Sequence, residues 1–145
     1  MIWAERMAAR IVVHSFADAR AALAAAAALG RDVTLTSAAG AGAYAGPGWF
    51  KALTDEARRA VPTAHCDIVL DCDAAPGFAL AALQFGLKRV RFTGGEEVCR
   101  RLQTIAAQFD AVIETESVPA LDLHGVRQPE ARCRAWIAGE TVTRA

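Results

Sequence analysis

Residues 89–97 read Arg89-Val90-Arg91-Phe92-Thr93-Gly94-Gly95-Glu96-Glu97. Val90 and Phe92 alternate with Arg89, Arg91 and Thr93, the period-two pattern of a strand with one apolar and one polar face. The glycine pair ends the strand, and the two acids after it suit the positive end of a helix. A strand therefore runs through a short turn into a helix. Similar apolar runs occur at Ile11-Val12-Val13, Val33-Thr34-Leu35, Ile68-Val69-Leu70 and Ala111-Val112-Ile113. They end in the polar residues His14, Thr36, Asp71 and Glu114, as this one ends in Thr93.

The strand starts, near 11, 33, 68, 89 and 111, lie about 22, 35, 21 and 22 residues apart, close to what one strand, one loop and one helix require. Helix signals fall between them. Ser15 with Asp18 forms a capping-box pattern, and Gly30 closes that helix. Pro47 or Gly48 opens the next helix. Asp73 or Ala75 with Pro76 opens a third, which Gly86 stops. Pro129-Glu130 opens the last, ending at Gly139. Residues 119–128 read as a loop, with Leu121-Asp122-Leu123 extended within it.

Strands alternating with helices over short connections mean a parallel sheet. The expected fold is α/β, with a parallel sheet of about five strands built from βα units in one domain over residues 1–145. Two arrangements fit: a barrel-like sheet resembling half a (β/α)₈ (TIM) barrel, and a flavodoxin-like three-layer sheet. The alternation favours the first. A doubly wound sheet is covered on both faces and its inner strands read apolar throughout. Here Val12, His14, Thr34, Thr36, Val69, Asp71, Arg91, Thr93, Val112 and Glu114 share the more polar face. Five strands do not close such a barrel, so a second subunit is expected as cover, and a homodimer follows. The almost wholly apolar segment Gly77–Phe85 points the same way.

Composition narrows the function classes. The chain has 16 basic and 16 acidic residues, and so no net charge to attract nucleic acid or an anionic membrane. The apolar stretch Ala21–Leu29 is too short to span a bilayer, and Glu5, Arg6 and Arg10 interrupt any signal-peptide pattern. A cytoplasmic protein with reduced cysteines is expected. Cys66 and Cys72 stand roughly 20 Å apart along one strand, too far to bridge, and Cys99 and Cys133 fall in helical patterns.

Ligands of parallel α/β folds sit at the carboxyl ends of the strands. His14, Asp71 and Glu114 are the candidate catalytic residues there, because an imidazole near a carboxylate can move a proton. Arg91 is the candidate cation for a substrate carboxylate or phosphate. Thr36, Ser37, Gly40, Gly42, Thr93, Gly94 and Gly95 complete the ligand-binding set. The stretch Ser37–Gly48 reads as a substrate loop or lid. Its glycines give neither GxGxxG nor a Walker motif, so no nucleotide cofactor is expected. His14, Asp71, Asp73 and Glu114 could offer oxygen and nitrogen to a divalent cation, but lack the spacing of a metal motif, so no metal is expected. Trp3 and Trp136 are read as docking near the chain ends.

Arg91-Phe92-Thr93-Gly94-Gly95 resembles the phosphate-binding strand-end turn of aldolase-type barrels over these five residues. The resemblance implies a phosphate held by backbone N–H groups at the turn. Schiff-base chemistry of that group would need a lysine at a strand's carboxyl end. The two lysines, Lys51 and Lys88, fall in a helix and before a strand. The functional expectation is a binder or transformer of an anionic small metabolite, carboxylate or phosphorylated. The alternative is a non-catalytic oligomeric assembly domain. The sequence does not decide whether the protein is an enzyme.

Overall fold

The computed structural model describes residues 8–139, so Trp3 lies outside the described residues. The elements are β1 (Ala9–Val12), α1 (Phe16–Leu29), β2 (Val33–Thr36), α2 (Ala41–Tyr44), α3 (Gly46–Ala60), β3 (Cys66–Asp71), α4 (Pro76–Phe85), β4 (Arg89–Arg91), α5 (Glu96–Gln108), β5 (Val112–Glu114), β6 (Leu121–Asp122) and α6 (Pro129–Ile137). All strand pairs are parallel, in the order β5-β4-β3-β2-β1-β6.

The local signals act as chemistry requires. Ser15 Oγ accepts the Asp18 N–H at 3.1 Å, while the Asp18 carboxylate takes the His14 N–H at 2.9 Å. Gly30 and Gly86 close α1 and α4 in the left-handed region, at φ 62° and 108°, where a Cβ would be strained.

Each of β2 to β5 lies beside the strand before it, always advancing in the same direction. Right-handed crossovers then put every connecting helix on one face. The helices agree, since α6, α1, α3, α4 and α5 pack on one another in that order. Among the described residues the sheet thus has one helix-covered face and one bare of helices, as in an unclosed barrel. No order reversal occurs among β1 to β5, so the three-layer alternative is not adopted.

Register separates the two faces. Ile11, Leu35 and Ile68 form one row toward the helices, and Leu70, Val90 and Ile113 another. With Val13, Val33, Phe92 and the helix residues Leu23, Phe50 and Leu83 they form the core, Ile68 packing against it partly buried. The opposite face carries Arg10, Thr34 and Asp67 in one row and Asp71, Arg91 and Glu114 in another.

The sixth strand goes beyond the expected count. It is two residues long, and no helix separates it from β5, so neither length nor spacing marks it. Its position bends the sheet. Leu121 follows Glu114 by seven residues, at most about 25 Å of extended chain, yet β5 and β6 are the opposite edges. Five spacings of a flat sheet already take about 24 Å. Arg10 on β1 also pairs with Glu114 on β5, and four flat spacings, about 19 Å, exceed the joint reach of the two side chains. The sheet is therefore curled about its polar face, and residues 115–120 cross that concavity. Part of the cover expected from a second subunit comes from the chain's own loop.

Candidate functional site

Because every strand is parallel, His14, Thr36, Asp71, Thr93 and Glu114 lie at one edge of the sheet. Side-chain contacts divide them into three groups.

The first is built on Asp71. Its Oδ1 accepts the backbone N–H groups of Gly40 (3.1 Å) and Asp73 (2.8 Å). Its Oδ2 faces Arg91 Nε at 3.3 Å. Ser37 Oγ accepts the Asp71 N–H at 2.9 Å and donates to Ala38 O at 3.1 Å. Thr93 Oγ1 donates to Asp73 Oδ1 at 3.3 Å. Five residues of the expected site, Ser37, Gly40, Asp71, Arg91 and Thr93, thus belong to one network. Arg91 also donates to Glu116 O on the crossing loop. The network ties the loop after β2 and the crossing loop to β3 and β4, and Thr36 is buried beneath it.

The Ser37–Gly48 stretch is packed in part. Residues 41–44 form a helical turn, with Ala41 and Gly42 buried. A Cβ on Gly42 would sit 2.4 Å from Cys72 Sγ, so glycine is required here for close approach. Gly94 has a similar cause: a Cβ would meet the Phe92 ring at 2.4 Å.

The second group is Glu114 with Arg10. Arg10 Nη1 and Nη2 donate to Glu114 Oε1 and Oε2 at 2.5 and 2.8 Å, a bidentate pair with side chains 9% and 15% exposed. The Arg10 hydrogen bond holds the Glu114 carboxyl below the usual carboxylate range; burial opposes this, and the charges of Arg10, Arg89 and Arg91 assist it. Sequence reading missed Arg10 because the apolar run starts at Ile11. Its parity with Val12 was the available signal.

The third group is His14, whose Nε2 lies 2.7 Å from Asp122 Oδ1 on β6. The rings of His14 and His124 are 5.5 Å apart, edge to face. Burial raises the Asp122 carboxyl, but the His124 N–H and the His14 hydrogen bond outweigh it and keep the group low. The carboxylate that orients His14 is thus neither Asp71 nor Glu114. No group of three or more metal-ligating side chains able to hold an ion occurs among the described residues.

A cavity of about 440 Å³ opens between the end of β4 and α5. Thr93, Gly94, Arg100, Gln103 and Thr115 line it, with Glu96 at the same wall. Arg100 forms no ion pair among the described residues. It sits on a helix surface, where strand parity gives no hint of a site.

The four cysteines are free thiols. Burial pushes the Cys72 and Cys133 thiols up to about 12, with Asp71 adding at the first and Asp18 and Glu130 at the second. Trp136 docks on the body, its Nε1 donating to Arg10 O at 3.0 Å. No helix among the described residues is long and apolar enough to cross a membrane. Compared with known proteins, the chain matches no family model, and no curated protein is similar to it.

Proposed function

We propose that this protein binds a small anionic metabolite at the carboxyl end of its sheet, in the cavity between β4 and α5. The observation that carries this reading is Arg100, an arginine without an ion pair among the described residues, which lines that cavity together with the Thr93-Gly94 turn. The turn also lies at the amino end of α5, whose dipole favours negative charge. In this reading Arg91 holds Asp71 and the crossing loop rather than the ligand. Glu96 shares the wall, and its charge disfavours a doubly charged phosphate more than a carboxylate. A carboxylate-bearing metabolite is therefore the preferred class over the phosphate that the turn resemblance suggests. His14, held by Asp122, is the group at this edge suited to proton transfer. Reduced thiols suit the cytoplasmic setting we propose with it.

Thermal melts with pyruvate and with inorganic phosphate test this. A ligand at a hundred times its Kd adds about 2.7 kcal/mol, roughly 5–10 °C for a domain of this size. The expected result is a saturating rise with pyruvate that Arg100→Gln removes. No rise with either anion, or a rise that Arg100→Gln leaves intact, refutes the reading.

A second reading, self-assembly, has its own observation. Tyr44, Trp49, Phe78 and Phe85 are exposed on α2, α3 and α4. Phe85 of α4 lies beside Gly48 of α3, where an added Cβ would stand 3.6 Å from its ring. We propose a homodimer through this face. Light scattering at high micromolar concentration checks it: a dimer that Trp49→Ser with Phe85→Ser dissociates supports it, and a 15.3 kDa monomer refutes it.

A further inference from the structure

The wall of the cavity beside α5 carries both signs of charge, and the protein pairs neither. Glu96, Arg100 and Gln103 stand at positions i, i+4 and i+7 of α5, so they share one stripe of the helix, and all three line the cavity. Among the described residues their side chains form no hydrogen bond and no ion pair. The neighbouring stripe behaves differently. Glu97 and Arg101 have the same spacing and the same order of charges, and they join at 3.4 Å. Both acids lie in the first turn of α5, where the helix dipole favours them. The dipole gives no reason for an arginine one turn later to stand unpaired beside Glu96.

Electrostatics restricts what this wall can hold. Arg100 and Glu96 together carry no net charge. A simple anion at Arg100 lies beside the Glu96 carboxylate, and a simple cation at Glu96 lies beside the Arg100 guanidinium. Each gains one attraction and meets one repulsion. A ligand with both charges meets two attractions. Residues at this spacing have Cβ atoms about 5–6 Å apart, so the two charges of the ligand must be close together. An α-amino acid carries its carboxylate and its ammonium on one carbon. Gln103 and Thr115 add an amide and a hydroxyl to the same wall. The apolar side chains there, Phe92 and Cys99, are buried, so the rest of the ligand meets hydrogen-bonding groups.

We infer that the cavity selects a small α-amino acid with a polar side chain, of which serine is the simplest, an inference that rests on the proposed reading of this cavity as a carboxylate site. The ligand's carboxylate lies against Arg100, its ammonium against Glu96 and its hydroxyl against Gln103 or Thr115. Closing Glu96 onto Arg100 in the empty protein gains little, because exposed pairs of this spacing are weak. The second charge of the ligand removes the cost that Glu96 imposes on a bare carboxylate.

Isothermal titration calorimetry with L-serine, L-glycerate and ethanolamine tests this. Glycerate has a hydroxyl in place of the amine, and ethanolamine lacks the carboxylate. L-serine should bind saturably and at least about tenfold more tightly than either. Glu96→Gln should weaken L-serine about tenfold and strengthen glycerate, whereas Arg100→Gln should weaken both. Glu96 and Arg100 are exposed on a helix, so both variants should keep the parent circular dichroism spectrum. Glycerate or ethanolamine binding as tightly as L-serine overturns the inference, and so does a Glu96→Gln protein that still prefers L-serine. If L-serine fails to bind while the pyruvate melting shift persists, the inference alone falls and the carboxylate reading stands. If both are absent, or if L-serine binding survives Arg100→Gln, the two fall together.

Discussion

Replacing Arg10 by methionine tests the curl of the sheet and the charge pairing at once. Methionine keeps the apolar stem but leaves the Glu114 carboxylate, 15% exposed in its side chain, without its bidentate partner. Removing one member of a buried pair costs about 3–5 kcal/mol, because the other charge remains unmatched. Arg89 and Arg91 also act on Glu114, so the lower figure applies, about 3 kcal/mol, or two orders of magnitude in the folded-to-unfolded ratio. The pH dependence has a defined sign. The Glu114 carboxyl is lowered from its ordinary 4.5 in the folded protein. It therefore contributes stability present above that value and lost as pH falls through the lowered one. Arg10→Met removes the largest cause of that lowering. The gap between parent and variant should be full at pH 7 and narrow below about pH 4. Urea unfolding followed by circular dichroism at both pH values measures this, and adding Glu114→Leu should recover much of the loss. A cost below about 1 kcal/mol that does not change with pH is what an exposed pair gives, and would mean that β1 and β5 do not face each other.

Gly42→Ala should destabilise by about 1–3 kcal/mol in thermal melts, because its Cβ meets Cys72 Sγ; adding Cys72→Ala should restore part of it. Arg91→Met should lower the melting temperature through the loss of the Asp71 pair, yet leave the pyruvate shift in place, since the function we propose gives the ligand's charge to Arg100. Native thiol labelling read by mass spectrometry should modify the half-buried Cys66 first, with Cys72 and Cys133 protected by burial and by thiols near 12.

Much of this architecture is legible in the amino-acid order. Alternation at Val90 and Phe92 against Arg89 and Arg91 marks the two faces of β4, and Ser15, Gly30, Pro76 and Gly86 mark helix ends through local chemistry. These signals act over a few residues and need no partner. What is not legible depends on distant pairing. Leu121 and Asp122 are a strand only because β1 offers them an edge. Glu114 is a structural anion only because the curl brings Arg10 to it. His14 finds Asp122 rather than Asp71 because β6 lies beside β1, which strand order decides and spacing does not. Arg100 was hidden for a different reason: a basic residue on an exposed helix has many uses, and only the cavity singles it out.

The crossing loop has a consequence for how the chain acquires its structure. Strands β1 to β5 can add one after another, each beside its predecessor, as residues leave the ribosome. The outer edge of β1 waits for Leu121 and Asp122, and the charge of Arg10 waits for a carboxylate 104 positions later. Contacts so distant in sequence carry a large loop-closure entropy and form late. A nascent chain ending before Glu114 therefore holds the first four βα units with an open edge and an unmatched arginine. Residues 114–122 lace the two edges of the sheet together, and they must be made before the chain can leave its aggregation-prone stage.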